Sequence, residues 1–439
     1  MHKLLKLSLF SLIFTPAMAQ QVSFEEYNLD NGLHVILHQD QTAPLVTTSV
    51  MYNVGGKDRT EGRTGFAHFF EHLLFEGTKN IERGEFMNIV SSRGGRLNAN
   101  TSQDRTYYYE VLPSNQVELG LWLESERMLH PVIDKIGVDT QNEVVKEEKR
   151  LRVDNAPYGK FLTTVESNLF KVHPYKDPNI GYMEDLDAAT LEEFIEYKNK
   201  YYHPNNAVLV VAGDIDIDQI KTKIDEYFSP IPSGPKVERN FPAEEPIIEE
   251  IRTTTTDDNI QIPAMITAYR TPGFAERDAY VLDMISTYLS GGKSSKLYKK
   301  MVDENKQALE VGAFNIGYMD YGMYVIYSLP VGETSLDVLV DEISSEVETL
   351  RSELISERDH QKLLNIFENN FVNANSSVEG IANSLARYYL LYGDTNLIND
   401  QINIYRSITR EEIKAVADKY LKDNQRVVID YLPTPSKTE

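Results

Sequence analysis

Two histidines and a glutamate lie close together in the segment His68-Phe69-Phe70-Glu71-His72. On an α-helix, residues four positions apart share one face, so the imidazoles of His68 and His72 can bind the same cation. Glu71 would lie beside them, where a carboxylate can act on a water next to that cation. The pattern therefore predicts a metal site with a general base beside it. The alternative is a buried helix whose two histidines are simply hydrogen-bonded.

A metal site with one open position needs a third protein ligand. The chain has no cysteine, so this ligand must be His, Asp or Glu. In the helix predicted over residues 141–151, Glu148 shares a face with Val144 and Leu151, four positions before it and three after it. This periodicity favours Glu148 over its neighbour Glu147, which falls on the solvated face. A buried ion pair between Glu148 and an arginine is the alternative.

The predicted elements around these residues define how they are positioned. The motif helix follows a strand predicted over residues 46–54, with Thr64 as its expected N-cap and Gly77 as its end. Its flanking residues are apolar on nearly all sides, which predicts a buried helix whose polar residues need partners. The helix that carries Glu148 is expected to begin at Asp139 or Thr140.

A polar segment of small residues at 97–102 contains Asn98 and Ala99 and follows Arg93-Gly94-Gly95-Arg96. Such a segment suits an edge strand that pairs with an extended peptide. An ordinary loop that leads into the strand at residues 106–112 is the equally weighted alternative.

The composition is that of a folded protein, with 41% hydrophobic and 25% charged residues among 439. The formal net charge is −23. Because binding to phosphate backbones requires a basic surface, this charge argues against a nucleic-acid partner.

The first residues have the features of an export signal. Lys3 and Lys6 precede an apolar run at residues 7–14, and Ala17-Met18-Ala19 is a small-x-small cleavage site. The run is too short to span a bilayer and no comparable run follows, so no membrane span is predicted. Without a cysteine there is no lipoprotein anchor site. We expect a cleavable signal peptide over residues 1–19 and a periplasmic or secreted protein.

The second half of the chain repeats the first. A helix start at Thr190 matches one at Thr409, and the strands that follow match at the same offset of 219. Near the motif the offset is 214, and there the three polar positions correspond to Leu282, Ile285 and Ser286. The fold is therefore duplicated, whereas the metal ligands are not.

These patterns predict two homologous α+β domains, each with a mostly antiparallel sheet covered by helices on one face. The expected divisions are the signal peptide at 1–19, a zinc-binding domain at 20–228, a proline-rich linker at 229–250 and a second domain without zinc at 251–439.

The chain resembles the pitrilysin/insulinase (M16) family of zinc metallopeptidases, whose motif is the inverted His-x-x-Glu-His order. The similarity is greatest to the short-chain branch that includes the mitochondrial processing peptidase. The segments that carry it are His68-Phe69-Phe70-Glu71-His72, Val144-Val145-Lys146-Glu147-Glu148, Asp154-Asn155-Ala156-Pro157-Tyr158-Gly159, Tyr201-Tyr202-His203-Pro204-Asn205-Asn206-Ala207 and Ser290-Gly291-Gly292-Lys293-Ser294-Ser295-Lys296-Leu297.

The resemblance implies an endopeptidase of peptides or unfolded segments, shaped as half of a clam-shell that a second chain completes. It implies that His68, His72 and Glu148 bind one zinc ion. Glu71 would be the general base, and the segment around Asn98 and Ala99 would bind the substrate backbone as an added strand. A non-catalytic scaffold or chaperone-like subunit of the same fold is the alternative function.

Two departures from the family pattern affect these expectations. Family members often have an acid seven residues before the distal ligand, and here that position is Gln141, which can orient a histidine but adds no charge. Family members that are active without a partner subunit also carry an Arg and a Tyr in the second domain. At the corresponding positions this chain has Val302 and Leu309. We therefore expect a heterodimer in which a homologous partner subunit supplies the Arg/Tyr pair.

Overall fold

The structure is a computed structural model that describes residues 21–435, so the signal peptide expected at 1–19 lies outside the described residues. The strands are β1 (Glu25–Asn28), β2 (His34–Gln39), β3 (Leu45–Tyr52), β4 (Arg96–Thr101), β5 (Thr106–Pro113), β6 (Ala207–Gly213), β7 (Ile251–Asp257), β8 (Ala264–Pro272), β9 (Ala308–Gly317), β10 (Tyr321–Pro330) and β11 (Arg426–Pro433). The helices of the first half are α1 (Phe66–Leu73), α2 (Glu85–Ser92), α3 (Val117–Leu129), α4 (Lys135–Lys149), α5 (Phe161–Leu169), α6 (Met183–Ala188), α7 (Leu191–Tyr201) and α8 (Ile217–Phe228). Those of the second half are α9 (Arg277–Ser290), α10 (Leu336–Ser352), α11 (Glu357–Ala374), α12 (Val378–Arg387), α13 (Leu397–Ser407) and α14 (Arg410–Tyr420).

The strands form two sheets, with the orders β1-β2-β6-β3-β5-β4 and β7-β11-β8-β10-β9. Most neighbouring strands are antiparallel, and the parallel pairs are β2 with β6 and β7 with β11. The prediction of two α+β halves with mostly antiparallel sheets is confirmed. β4 and β9 lie at corresponding edges of their sheets.

The internal repeat is visible in matching helix starts. Thr190 begins α7 with a capping box in which its side chain and that of Glu193 each bond the other's backbone. Thr409 and Glu412 form the same capping box at the start of α14. Each helix is followed by a central buried strand, β6 or β11, so the sequence offset of 219 corresponds to a structural repeat.

The prediction that helices cover one face of each sheet was incomplete, because the other face of each sheet is covered by a helix from the opposite half. In β6, Val211 packs in the core of its own half, whereas Val210 belongs to a cluster with Leu385 of α12. Conversely, α5 of the first half covers the second sheet, and its Val165 packs in a cluster with Ile266 of that sheet. Side chains alternate between the faces of a strand, so both faces of each sheet are buried.

Residues 229–250 contain no helix or strand, as their prolines predicted. This segment still makes ordered contacts: Arg239 donates to Asp58 at 2.6 Å, and Glu244 accepts backbone bonds from three residues after α5. We propose residues 20–228 and 251–439 as the two domains. In the part of the chain that is described, none of the helices has the length and apolar character required to cross a membrane.

A buried carboxyl joins the two halves and makes their packing sensitive to pH. Glu166 of α5 is 2% exposed, and its Oε1 accepts a hydrogen bond from the Tyr318 hydroxyl at 2.7 Å. Burial raises the pKa of Glu166 to about 8. The folded state therefore retains a proton that the unfolded chain releases, so this stabilisation is complete at low pH and is lost as pH rises through the folded pKa.

We expect Glu166→Gln to reduce the loss of stability between about pH 5 and about pH 8, because glutamine remains neutral over this range. Urea unfolding at the two pH values measures this difference. Glu61→Gln, at an exposed position, is the matched control and should leave the pH dependence unchanged. An equal pH dependence in wild type and Glu166→Gln would contradict the assignment.

Candidate metal and catalytic site

The motif helix α1 starts and ends differently from its prediction. It begins after Gly65, which has a φ of 81° and provides no side-chain cap. The Thr64 hydroxyl instead donates to Asp185 at 2.6 Å, so the expected Thr64 N-cap was wrong. The helix ends at Leu73, one turn before the predicted end at Gly77.

Aromatic packing fixes the orientation of α1. Phe69 and Phe70 are fully buried, and the Phe69 ring stacks on Phe194 with centroids 4.6 Å apart. The Tyr108 hydroxyl donates to the Phe70 carbonyl at 2.8 Å, which anchors the helix to β5. The apolar residues thus direct His68 to the opposite side of the helix.

The third predicted ligand lies on α4, which is longer than expected. Asp134 caps this helix by accepting from the Gly137 amide, so the predicted start at Asp139 or Thr140 was about one and a half turns late. The apolar stripe assigned to Glu148 is also less buried than predicted, since Val144 is 43% and Leu151 63% exposed. Periodicity identified the correct face of the helix, but this face is turned toward a partly open site.

The side chains of His68, His72 and Glu148 converge. One possible ligand atom from each lies within 4.8 Å of the others. Oε2 of Glu148 is 3.1 Å from His72 Nε2 and 3.6 Å from His68 Nε2. Tetrahedral zinc with bonds of about 2.0–2.1 Å requires ligand atoms roughly 3.3 Å apart. The spacing of the donors therefore fits a zinc ion.

The protonation states also suit a metal. Burial and the neighbouring His72 lower the pKa of His68 to about 4, so its imidazole is neutral near pH 7. The hydrogen bond with His72 lowers the pKa of Glu148, which keeps this carboxyl ionised. Metal ligation requires these deprotonated forms. Among residues 21–435, the buried Nδ1 of His68 has no hydrogen-bond partner.

Glu71 lies beside the three candidate ligands and is held by a residue that the sequence did not suggest. The Thr101 hydroxyl, at the end of β4, donates to Glu71 Oε2 at 2.6 Å. Burial raises the pKa of Glu71, and the bond from Thr101 opposes that shift. Nothing in the local pattern indicated Thr101, because the contact depends on how α1 crosses β4.

Within the described part of the chain, Gln141 forms no hydrogen bond with His68 or His72. Its amide donates to Glu76, whose other carboxylate oxygen is 2.5 Å from Arg83 Nη1. The residue seven positions before Glu148 therefore links α4 to the segment after α1, and the idea that it orients a histidine finds no support in these contacts. Glu76 is 8% exposed, so this link lies inside the protein.

Arg152 is a further neighbour of the site. Its Nη1 is 2.6 Å from Glu148 Oε1, the oxygen that faces away from the histidines. The spacing of four residues was a usable signal, since oppositely charged residues at i and i+4 are neighbours on a helix. The two oxygens of Glu148 thus have different partners, and Oε2 is the one directed at the candidate metal position.

Asn98 and Ala99 lie in β4, at the edge of the first sheet. They face Tyr109 and Tyr108 of β5, and β4 has no second neighbouring strand within the described residues. Asn98 is exposed and Ala99 is 8% exposed. The open edge has unpaired backbone groups that could bond another strand.

In the second half, two of the three positions that correspond to the metal motif belong to the core. Leu282 and Ile285 of α9 are fully buried. Val302 packs against the same core, and Leu309 at the start of β9 is 52% exposed. The side chains of Leu282, Ile285, Val302 and Leu309 can neither ligate a metal nor donate a hydrogen bond to a substrate.

Comparison with protein families gives one consistent result. The model described as "Insulinase (Peptidase family M16)" matches residues 34–181. The model described as "Peptidase M16 inactive domain" matches residues 188–367. The chain belongs to the M16 peptidase family. The division between the two matches agrees with the placement of the His-x-x-Glu-His motif in the first half of this M16 chain.

Relatives of known structure and name support this assignment. The chain is 28% identical over 414 residues to "Zinc protease PqqE" of Helicobacter pylori, covering 93% of each chain. It is similar to the crystal structure of a protease from Helicobacter pylori with a TM-score of 0.87 and 27% identity, covering 94% of this chain and 100% of that one. The periplasmic protease PqqL of Escherichia coli has the same fold at 18% identity and a TM-score of 0.78, with 94% of this chain matching 48% of PqqL.

Proposed function

We propose that this M16 chain is a zinc-dependent endopeptidase that hydrolyses peptides or unfolded segments. The observation that carries the proposal is the convergence of His68, His72 and Glu148, with one ligand atom of each within 4.8 Å of the others, beside a carboxylate that Thr101 holds. Relatives named zinc proteases support the choice of metal and reaction. A scaffold would need none of these groups.

The geometry supports a distinct role for each residue. His68, His72 and Glu148 would hold zinc, which in hydrolytic sites polarises the scissile carbonyl and a water molecule. Thr101 binds Oε2 of Glu71 and keeps the carboxylate in place, and among residues 21–435 no hydrogen bond is made to Oε1. Glu71 would accept the proton of the attacking water and return it to the departing amine.

The edge of β4 would hold the substrate. A peptide that pairs with Asn98 and Ala99 as an added strand would run past Thr101, whose side chain reaches Glu71. This arrangement selects extended, unfolded segments, because a folded substrate cannot offer a free strand. It gives affinity through the backbone and needs no particular sequence.

We further propose that the chain is the zinc-bearing subunit of a periplasmic or secreted heterodimer. It matches 48% of PqqL, a periplasmic protease whose single chain is about twice as long. A homologous partner would form the second half of the clam-shell and would supply the Arg/Tyr function absent at Val302 and Leu309.

Metal removal tests the proposed activity. We expect the purified protein to cleave a quenched peptide library, to lose this cleavage after dialysis against a chelator, and to regain it with one equivalent of zinc. Circular dichroism before and after dialysis controls for unfolding. A folded, zinc-loaded protein without cleavage, alone or with its partner, would favour the scaffold function instead.

Co-expression tests the heterodimer. Cleavage by the chain purified with a homologous subunit should exceed cleavage by the chain alone by at least ~10-fold, because substrate contacts from the second half assist the reaction. Cleavage by the isolated chain at the rate of the pair would contradict the heterodimer, while leaving the endopeptidase activity intact.

A further inference from the structure

Two arginines beside the candidate catalytic site form no close ion pair within the part of the chain that the structure describes. Arg105 lies between β4 and β5, and Arg387 is the last residue of α12 from the opposite half. Within residues 21–435, neither is among the arginines that lie within 4.0 Å of a carboxylate. The chain has 67 acidic and 44 basic residues, so an unpaired arginine is unexpected here. Two such arginines indicate a place for an anion that the protein does not itself provide.

Arg105 is tied to the catalytic groups. Its Nη1 donates to the Asn100 carbonyl at 2.7 Å, and Asn100 precedes Thr101, the residue that holds Glu71. Its guanidinium carbon is 6.0 Å from the centre of the Tyr107 ring. Arg105 thus lies at the end of the edge strand, next to the proposed reaction centre.

Arg387 approaches the same region from the second half. The residues on either side of it, Ala386 and Tyr388, belong to one apolar cluster with Tyr107. The only hydrogen bond that the Arg387 side chain makes within the described residues is to the Tyr392 hydroxyl, at 3.2 Å. The side chain is exposed and therefore open to a ligand.

The space around Arg387 suits a polar ligand. Arg387 lines a cavity of about 450 Å³ in which no other lining residue is charged. The uncharged polar residues of this lining are Asn370, Asn375, Asn383, Ser384, Gln401 and the tyrosines at 388 and 405. Amide and hydroxyl groups can donate to a carboxylate without neutralising the arginine.

The two guanidinium groups repel one another. Burial and the charge of Arg387 lower the pKa of Arg105 to about 10, which still leaves Arg105 protonated near neutral pH. The carboxylates of Glu71 and Asp104 oppose this shift but do not cancel it. An added anion would therefore bind favourably between the two cations, because it relieves their remaining repulsion. Arginine also offers the paired donors that a carboxylate accepts.

We propose that Arg105 and Arg387 form a carboxylate-binding subsite that makes the peptidase prefer acidic peptides. This inference rests on the proposed endopeptidase function and adds a substrate class to it. The carboxylate could belong to an Asp or Glu side chain or to the C-terminus of the peptide. One arginine comes from each half, so the subsite would also explain why the second half, which has no metal ligands, is part of the active chain.

The first measurement is the ratio of kcat/KM for paired peptides that differ by Glu or Gln at one position, scanned along a cleaved sequence. Wild type should prefer Glu by about 10-fold or more at one position or a few adjacent positions. Arg387→Gln and Arg105→Gln should each reduce that ratio by about 5-fold or more, and Arg387→Lys should keep part of it. Arg406→Gln, which breaks the surface ion pair with Glu368, is the matched control and should leave the ratio unchanged.

The second measurement is binding of the same labelled peptides to the Glu71→Gln protein by fluorescence anisotropy, which does not depend on cleavage. Peptides with a free or an amidated C-terminus distinguish the two sources of the carboxylate. A ratio near one at every position, together with equal Kd values for free and amidated peptides, would overturn the subsite. A preference that persists in both arginine variants would overturn it as well. Acid-selective binding without any cleavage would support the subsite and would instead contradict the proposed function.

Discussion

Replacing Glu71 by glutamine is expected to lower kcat by about 10³–10⁴-fold while zinc remains bound. Glutamine has nearly the same shape and can still accept the hydrogen bond from Thr101, which is 2.6 Å long in the wild type. It cannot accept a proton at neutral pH, so the water loses its base. Because the ligands His68, His72 and Glu148 are untouched, zinc content measured by atomic absorption should stay near one ion per chain.

Glu147→Gln is the matched control for this experiment. Glu147 is 57% exposed and pairs with Arg150 on the surface of α4, so its neutralisation should change neither kcat nor zinc content appreciably. Unchanged turnover by Glu71→Gln would rule out Glu71 as the base. Loss of zinc together with activity would instead make Glu71 a residue that supports the metal.

The second large effect is expected for Glu148→Gln, which should weaken zinc binding by more than ~100-fold. Loss of an outer hydrogen-bond partner alone reduces metal affinity by about 10–100-fold, and loss of a charged ligand should exceed that. Oε2 of Glu148 is the atom nearest to both histidines, at 3.1 Å and 3.6 Å. Competition with a chromogenic chelator measures the affinity.

The variant Arg152→Gln distinguishes loss of a zinc ligand from loss of the ion pair that holds this ligand in place. Arg152 contacts only Oε1 of Glu148 and its side chain is 76% exposed, so its loss should weaken zinc binding by no more than ~10-fold. Equal zinc affinity in wild type and Glu148→Gln would exclude Glu148 as a ligand. An effect of Arg152→Gln as large as that of Glu148→Gln would show that the ion pair, and not ligation, is what matters.

Several features were predictable because they depend on short-range periodicity. The spacing of His68 and His72 requires only that the segment be helical, and the structure has α1 over this segment. The capping threonines Thr190 and Thr409 are local signals too, and both form the capping boxes that mark the repeat. The two-sheet α+β fold followed from that repeat and from the strand patterns.

The features that the sequence did not predict correctly depend on packing between segments that are distant in the chain. His34 and His38, for example, are both buried at 6% exposure, although nothing in their local sequence indicates burial. His34 stacks on Tyr389 of the second half with ring centroids 3.5 Å apart. The start of α1 similarly depends on Asp185, which takes the Thr64 hydroxyl that a local cap would have used. Such contacts join residues more than 100 positions apart, where periodicity carries no information.

By itself, the sequence determined the fold class, the family resemblance and the three candidate ligands with their base, because each depends on residue type and regular spacing. Only the tertiary structure decided which groups surround them. In the structure, Thr101 donates a hydrogen bond to Glu71, and Gln141 donates one to Glu76. Arg152 forms an ion pair with Oε1 of Glu148. The tertiary structure also brought a helix from each half onto the other half's sheet, and it placed Arg387 where its charge lowers the pKa of Arg105. The crossing of α1 over β4 and the exchange of helices between halves set these contacts, and neither is encoded in any single stretch of the chain.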